Sequence, residues 1–119
     1  MTWTLCTSGS AINKAGIYAN ATIIASGSAL ASYYDEVESI ICSIARVDVV
    51  TAYSGLTSYG KQILGNLASS MVAQKIICYD PNAIGRSTAT LRLNILENDI
   101  RRGISLISED KVKTYLKVT

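Results

Sequence analysis

Histidine is missing from all 119 residues, which removes the commonest general base and the commonest metal ligand. Charge is scarce too: 17% of residues carry it, against about 25% in an ordinary globular domain. The net charge of +2 is too small for the electrostatic footprint of a nucleic-acid binder. Cysteine occurs three times, at Cys6, Cys42 and Cys78. An odd, widely spaced set without a CxxC pair builds neither a zinc knuckle nor a disulfide framework. Cys42 and Cys78 sit beside isoleucines, where a thiol is expected to be a small buried hydrophobe, and a reducing compartment follows. Gly55, Gly60 and Gly65 are evenly spaced but lack the lysine and serine of a phosphate-binding loop. No cysteine has a base beside it in sequence. These absences predict no catalytic, cofactor-binding or metal-binding residues, and a protein that is not an enzyme.

Membrane insertion is expected to be poorly driven. Residues 15–34 form an uncharged stretch of spanning length, yet Asn20, Thr22, Ser26, Gly27, Ser28 and Ser32 interrupt it. No basic region precedes an early apolar run, so no secretory signal is expected.

What is present is apolar and small. Apolar residues make up 49%, and much of the rest is Ala, Ser, Thr and Gly. Such a chain has little charge with which to cover its own surface. It is either a neutral monomer coated in Ser and Thr or a subunit that hides part of its surface in an assembly, and the second is favoured.

The chain is organised around residues 58–79. Ile63, Leu64, Leu67, Met71, Val72, Ile76 and Ile77 recur in steps of three and four, which predicts a helix apolar over most of its girth. Gly65, Ala68, Ser69 and Ala73 leave room for other helices to approach. Thr57 or Ser58 can cap this helix, and Asp80-Pro81 stops it. A second helix carries Leu30, Tyr33, Tyr34, Val37, Ile40, Ile41 and Ile44 inward. Its Asp35, Glu36 and Glu38 read as a solvated face rather than a metal or acid–base site, because no further ligand clusters nearby. A third long helix is expected after Ser87 as cap, with Leu93, Leu96, Ile100, Ile104 and Ile107 as its buried stripe. On its outer side Glu97 with Arg101, and Asp99 with Arg102, form weak pairs at helical spacing.

Two short helical pieces are predicted. Ser10 can cap Ala11–Ala15, which Gly16 ends. Asp48 can cap another, although Val47, Val49 and Val50 equally suit a strand. Residues 17–24 are ambiguous. The first nine residues read as an extended arm, in which Trp3 and Leu5 alternate with threonines.

The end of the chain changes period. Over Lys111, Val112, Lys113, Thr114, Tyr115, Leu116, Lys117 and Val118 the period is two, with Val112, Thr114, Leu116 and Val118 facing one way and Lys111, Lys113, Tyr115 and Lys117 the other, the pattern of a strand. A lone strand needs a sheet edge from elsewhere. It is either a frayed basic tail or a segment that joins a neighbouring molecule's sheet, and the latter is favoured. The expected architecture is thus a mainly α compact bundle of three longer and two short helices, residues 1–110, with an extended N-terminal arm. An extended β-like docking tail follows at 111–119.

Several segments together resemble one family. Cys6-Thr-Ser-Gly-Ser-Ala-Ile-Asn-Lys-Ala-Gly16 is similar to the opening of the small head–tail connector (adaptor) proteins of tailed bacteriophages. So are Glu38-x-x-Ile41-Cys42-x-x-Ala45-Arg46-x-Asp48 and Lys61-x-Ile63-Leu64-x-x-Leu67-Ala68-Ser69-x-x-Val72-Ala73. Ile77-x-Tyr79-Asp80 and Leu96-x-x-x-Ile100-x-Arg102-Gly103-x-x-Leu106 complete the likeness, which runs from Cys6 to about Leu116. Its motifs are packing and capping residues. Val49 departs from it, standing where the family carries an aromatic residue.

The resemblance implies a structural virion protein at the head–tail junction, assembled in the host cytoplasm. It implies a homo-oligomeric ring, commonly of twelve, that docks under the portal protein and meets a tail or nozzle protein. Such a ring extends the DNA channel and passes DNA without sequence specificity. The family's C-terminal segment commonly reaches the portal, a contact carried over to Lys111–Val118. Trp3, Leu5 and Tyr18 are candidates for contact with a neighbouring subunit, or else pack on their own core. The alternative is a small phage-encoded cytosolic regulatory or DNA-binding helical protein. That reading requires a basic helix face and a steeply salt-dependent DNA affinity.

Overall fold

A computed structural model describes residues 3–16, 27–79 and 86–109. Four α-helices account for most of them: α1 Ser8–Ala15, α2 Gly27–Ala45, α3 Ser58–Tyr79 and α4 Arg86–Ser108. A single 3-10 turn, Tyr53–Gly55, precedes α3. Among the described residues there is no strand. The β-like tail at 111–119 and the segments 17–26 and 80–85 lie outside the described residues.

Helix α3 is the hub, and α1, α2 and α4 all pack on it. Its buried positions run around the helix rather than along one stripe: Leu64, Leu67, Ala68, Val72, Ala73, Ile76 and Ile77 are sealed, as are Ser69 and Ser70. Ser69 tolerates this because its hydroxyl donates to the Gly65 carbonyl of the preceding turn at 2.7 Å, a local bond that removes the cost of an unpaired buried group. Small residues on α3 set the approach distances. A Cβ on Gly65 would lie 3.1 Å from the Leu5 carbonyl, so the N-terminal arm, not a helix, occupies that gap. The close approach of α4 depends on a glycine of its own, Gly103, seated against Leu67.

The helix ends follow local chemistry, with two corrections. Thr57 caps α3, its Oγ1 accepting from the Gly60 amide at 3.1 Å. For α1 the cap is Thr7, not Ser10: Thr7 Oγ1 accepts from the Ser10 amide at 3.1 Å, which places Ser10 at the third helical position. Helix α4 already includes Arg86 and Ser87, so Ser87 lies within its first turn. Gly16 ends α1 with φ +96, backbone that side-chain-bearing residues avoid, and its amide donates to the Ile12 carbonyl at 2.9 Å. Asp48 initiates a turn rather than a helix or strand. Its carboxylate accepts from the Thr51 amide at 3.2 Å and the Thr51 hydroxyl at 2.9 Å, bonds that hold its pKa below the ordinary carboxylate value. Val49 drops from that turn fully into the core.

The end of α2 carries a conformational cost. Val47 N–H donates to the Cys42 carbonyl at 3.3 Å, the six-to-one bond of a Schellman cap. The left-handed position of that cap is filled by Arg46, at φ +59, where glycine is favoured. Arg46→Gly is therefore expected to raise the unfolding free energy by roughly 0.5–1 kcal/mol, since relief of backbone strain outweighs a lost cation at the helix C-terminus. A denaturant midpoint at or below that of the parent protein contradicts this.

Two expectations about the core change. Ile40, expected on the inner face of α2, is 41% exposed, because Val37, Ile41 and Ala45 are the residues turned inward. Cys78 is exposed rather than buried, Cys42 is half-buried, and only Cys6 lies in the core.

Candidate functional site

Tyr34 ties the N-terminal arm to the bundle through hydrogen bonds, beside the buried Leu5 and Cys6. Tyr34 of α2 is fully buried, and its phenol oxygen accepts from the Thr4 amide at 2.8 Å and the Leu5 amide at 2.9 Å. These two donors belong to a segment without regular structure, so nothing else in a helix or sheet satisfies them. The Trp3 ring lies on the Tyr34 ring, centroids 4.6 Å apart and planes tilted by 31°. Leu5 is accordingly sealed in its own subunit, whereas Trp3 remains half-buried with part of its surface facing out. Tyr18 and Lys111–Val118, the other residues proposed for partner contact, lie outside the described residues.

Beside the arm is the molecule's most chemical-looking cluster. Lys14 of α1 donates through Nζ to the Asn66 carbonyl at 3.0 Å, to Asn66 Oδ1, and to Ser70 Oγ at 3.0 Å. A lysine amine against a serine hydroxyl is a nucleophile–base arrangement in principle. Here it is a strut. Ser70 has no exposed surface and no substrate carbonyl can reach it, while three acceptors engage all three ammonium protons. Burial pushes the Lys14 pKa down, with Asp99 and Cys6 opposing. The neighbouring Cys6 thiol is pushed up to about 11 by burial, slightly offset by the Lys14 charge, so it is no reactive thiolate at neutral pH. Arg92 of α4 closes the C-terminal end of α1 by donating to the Ala15 carbonyl, the cation and the orphan carbonyl of a helix C-terminus meeting directly.

The acidic residues of α2 do not converge. Glu36 pairs with Lys75 of α3 at 2.7 Å on the surface, Asp35 is exposed, and Glu38 is half-buried near Tyr34. Among the described residues no group of His, Cys, Asp or Glu is placed to hold a metal ion. None of the described helices is long and apolar enough to cross a membrane. On α4 the expected pairs form at the surface, Arg101 to Glu97 at 3.2 Å and Arg102 to Asp99 at 4.0 Å. Gln74 donates to Glu97 as well, at 3.0 Å, and with Arg101 it holds that carboxyl below its ordinary pKa.

The conspicuous surface feature is apolar. Leu91 and Ile95 of α4 are 61% and 54% exposed. Four residues apart, they stand together on one side of the helix, opposite the stripe of Ala89, Leu96, Ile100 and Ile107 that faces the core. The signal was present in the sequence as an apolar pair out of phase with that stripe. On another flank Ile40, Met71, Cys78 and Ile100 line a groove of about 250 Å3 with Gln74 and Lys75 at its edge. The chain matches no known family model, curated protein or solved structure.

Proposed function

We propose that this protein is a structural head–tail connector subunit of a tailed bacteriophage, acting by assembly rather than catalysis. Its subunits close into a ring, commonly of twelve, beneath the portal, extend the DNA channel, and present a surface to a tail or nozzle protein. The observation that carries this reading is the exposed Leu91–Ile95 pair together with the Ile40–Met71–Cys78–Ile100 groove, in a chain with only 17% charged residues. Supporting it, the segments that resemble connector proteins coincide with structural positions: Ile41, Ala45, Leu64, Leu67, Ala68, Val72, Ala73, Leu96 and Ile100 are core residues. The resemblance thus falls on what a ring subunit must preserve, its shape.

The tail residues Lys111–Val118 are assigned to the portal, where their alternating pattern would add a strand to a waiting sheet edge. Removing residues 111–119 should leave helicity and thermal midpoint unchanged and abolish co-sedimentation with portal particles. Equal portal affinity of the truncated and full-length proteins sinks that assignment. Native mass measurement with and without portal particles tests the ring itself. A protein that stays monomeric in both conditions is not a connector subunit.

A further inference from the structure

We propose that the ring contact is a knob-in-groove joint between copies of this chain. Leu91 and Ile95 of one subunit enter the groove between Ile40, Met71, Cys78 and Ile100 of the next. The inference rests on the connector reading and assigns the surfaces that such a ring would use.

Three observations converge on a second copy as the occupant. The first is position. Ile100 is nine residues after Leu91 and five after Ile95, rotations of about 180° and 140° around α4 at 3.6 residues per turn. Groove and knob therefore flank the same helix on opposite sides, and a subunit cannot fill its own groove with its own knob. Each copy can give its knob to one neighbour and take the knob of another. Such heterologous contacts build a ring when the rotation closes.

The second is size. The groove holds about 250 Å3, on the scale of two aliphatic side chains, and its lining is mainly apolar carbon and sulfur. Leu91 and Ile95 are large apolar side chains on α4 that remain more than half exposed and that no described helix packs against.

The third is charge. Beyond the knob, toward the end of α4, lie Arg101 and Arg102, whose side chains are each 75% exposed. Beyond Ile40, one turn toward the start of α2 and on the same side of that helix, lies the exposed carboxylate of Glu36. From knob to guanidinium groups is about 13 Å along α4, and from Ile40 to the Glu36 carboxylate about 6 Å along α2, at 1.5 Å per residue; flexible arginine side chains span the difference. Apolar meets apolar and cation meets anion only when α4 of one copy runs antiparallel to α2 of the next. Pairing α4 with itself about a two-fold axis near Ile95 would set Arg101 and Arg102 against the partner's Ala89 and Thr88, which have no carboxylate. The internal partners Glu97, Asp99 and Lys75 do not block the exchange, because exposed ion pairs are weak and each guanidinium has donors to spare.

The test is a mixing experiment with the full chain. Leu91→Asp/Ile95→Asp removes the knob and Ile40→Asp spoils the groove. Both alter exposed positions, and circular dichroism checks the fold. Association of either variant alone should weaken at least tenfold, whereas an equimolar mixture should give a 1:1 dimer by native mass spectrometry, joined through its one intact joint. Should Ile40→Asp misfold, Glu36→Lys and Arg102→Glu replace the pair: each weakens assembly, and both changes in one chain restore it. Full assembly by the knob variant overturns the joint and leaves the ring standing. Assembly that appears only after removal of residues 111–119 gives the groove to the chain's own tail and also overturns it. A parent protein that does not assemble, alone or on portal particles, overturns joint and ring together.

Discussion

Replacing Tyr34 by alanine should lower the unfolding free energy by about 3–5 kcal/mol, the usual cost of deleting a buried aromatic ring, and should release the N-terminal arm. Domains of this size are stable by about 5–15 kcal/mol, so the loss is a large fraction of the whole. Tyr34→Phe separates the two roles of the side chain. The ring still fills its place beneath Trp3, but the Thr4 and Leu5 amides lose the oxygen they share. A buried donor left without a partner costs about 1–3 kcal/mol. The phenylalanine variant should therefore lose that amount while keeping its helices. Trp3 is the single tryptophan, so its emission reports the arm directly. A red shift in Tyr34→Phe, with faster hydrogen exchange at residues 4 and 5 and unchanged exchange in α3, is the expected pattern. Unaltered emission and midpoint would show that the arm is held by apolar contact alone.

The second large effect is a loss of stability in alkali. Cys6 has its pKa raised from 9.0 to about 11 by burial. Below pH 9 the thiol is neutral in both folded and unfolded chains, and its contribution is fully present. As the pH climbs toward 11 the unfolded chain ionises first, and the fold loses stability relative to it. Two pH units at about 1.36 kcal/mol each set a ceiling near 2.7 kcal/mol. Tyr34 acts in the same sense from pH 10.0 upward, raised chiefly by burial and further by Glu38, against the lowering by its two amide bonds. Lys14 acts oppositely: burial lowers its pKa from 10.5, so the cost of keeping it charged in the fold disappears as it deprotonates. The Cys6 shift is the large one, so the net effect is a fall. Denaturant midpoints at pH 8, 9, 10 and 11 should drop steadily above 9, and Cys6→Ala should flatten the first part of that drop. A constant midpoint through pH 11 in the parent protein would show that the Cys6 site is wetter than its packing implies.

The long helices were legible because each repeats apolar residues at helical spacing over many turns, and local punctuation marks several ends: Thr57 before α3, Gly16 after α1. The cap of α1 was misread by three residues, since Thr7 and Ser10 are both good cap residues and only backbone geometry separates them. Ile40 and Cys78 are exposed against expectation because a run of isoleucine beside cysteine looks the same on a core face and on an open groove. Leu91 and Ile95 are the converse case. A 23-residue helix can carry apolar groups on two sides, and periodicity does not say which side another helix will cover.

By itself the sequence determined a helical protein centred on residues 58–79, poor in charge, without the histidine or clustered carboxylates that most chemistry needs. These are properties of local spacing and composition, which a linear chain displays in full. The tertiary structure alone decided that the arm is latched by a tyrosine 29 residues away from Leu5 and that Lys14 and Ser70 form a strut. It also set knob and groove on opposite flanks of α4. Such facts depend on which surfaces α3 covers, and coverage is a relation between distant segments that no local pattern encodes.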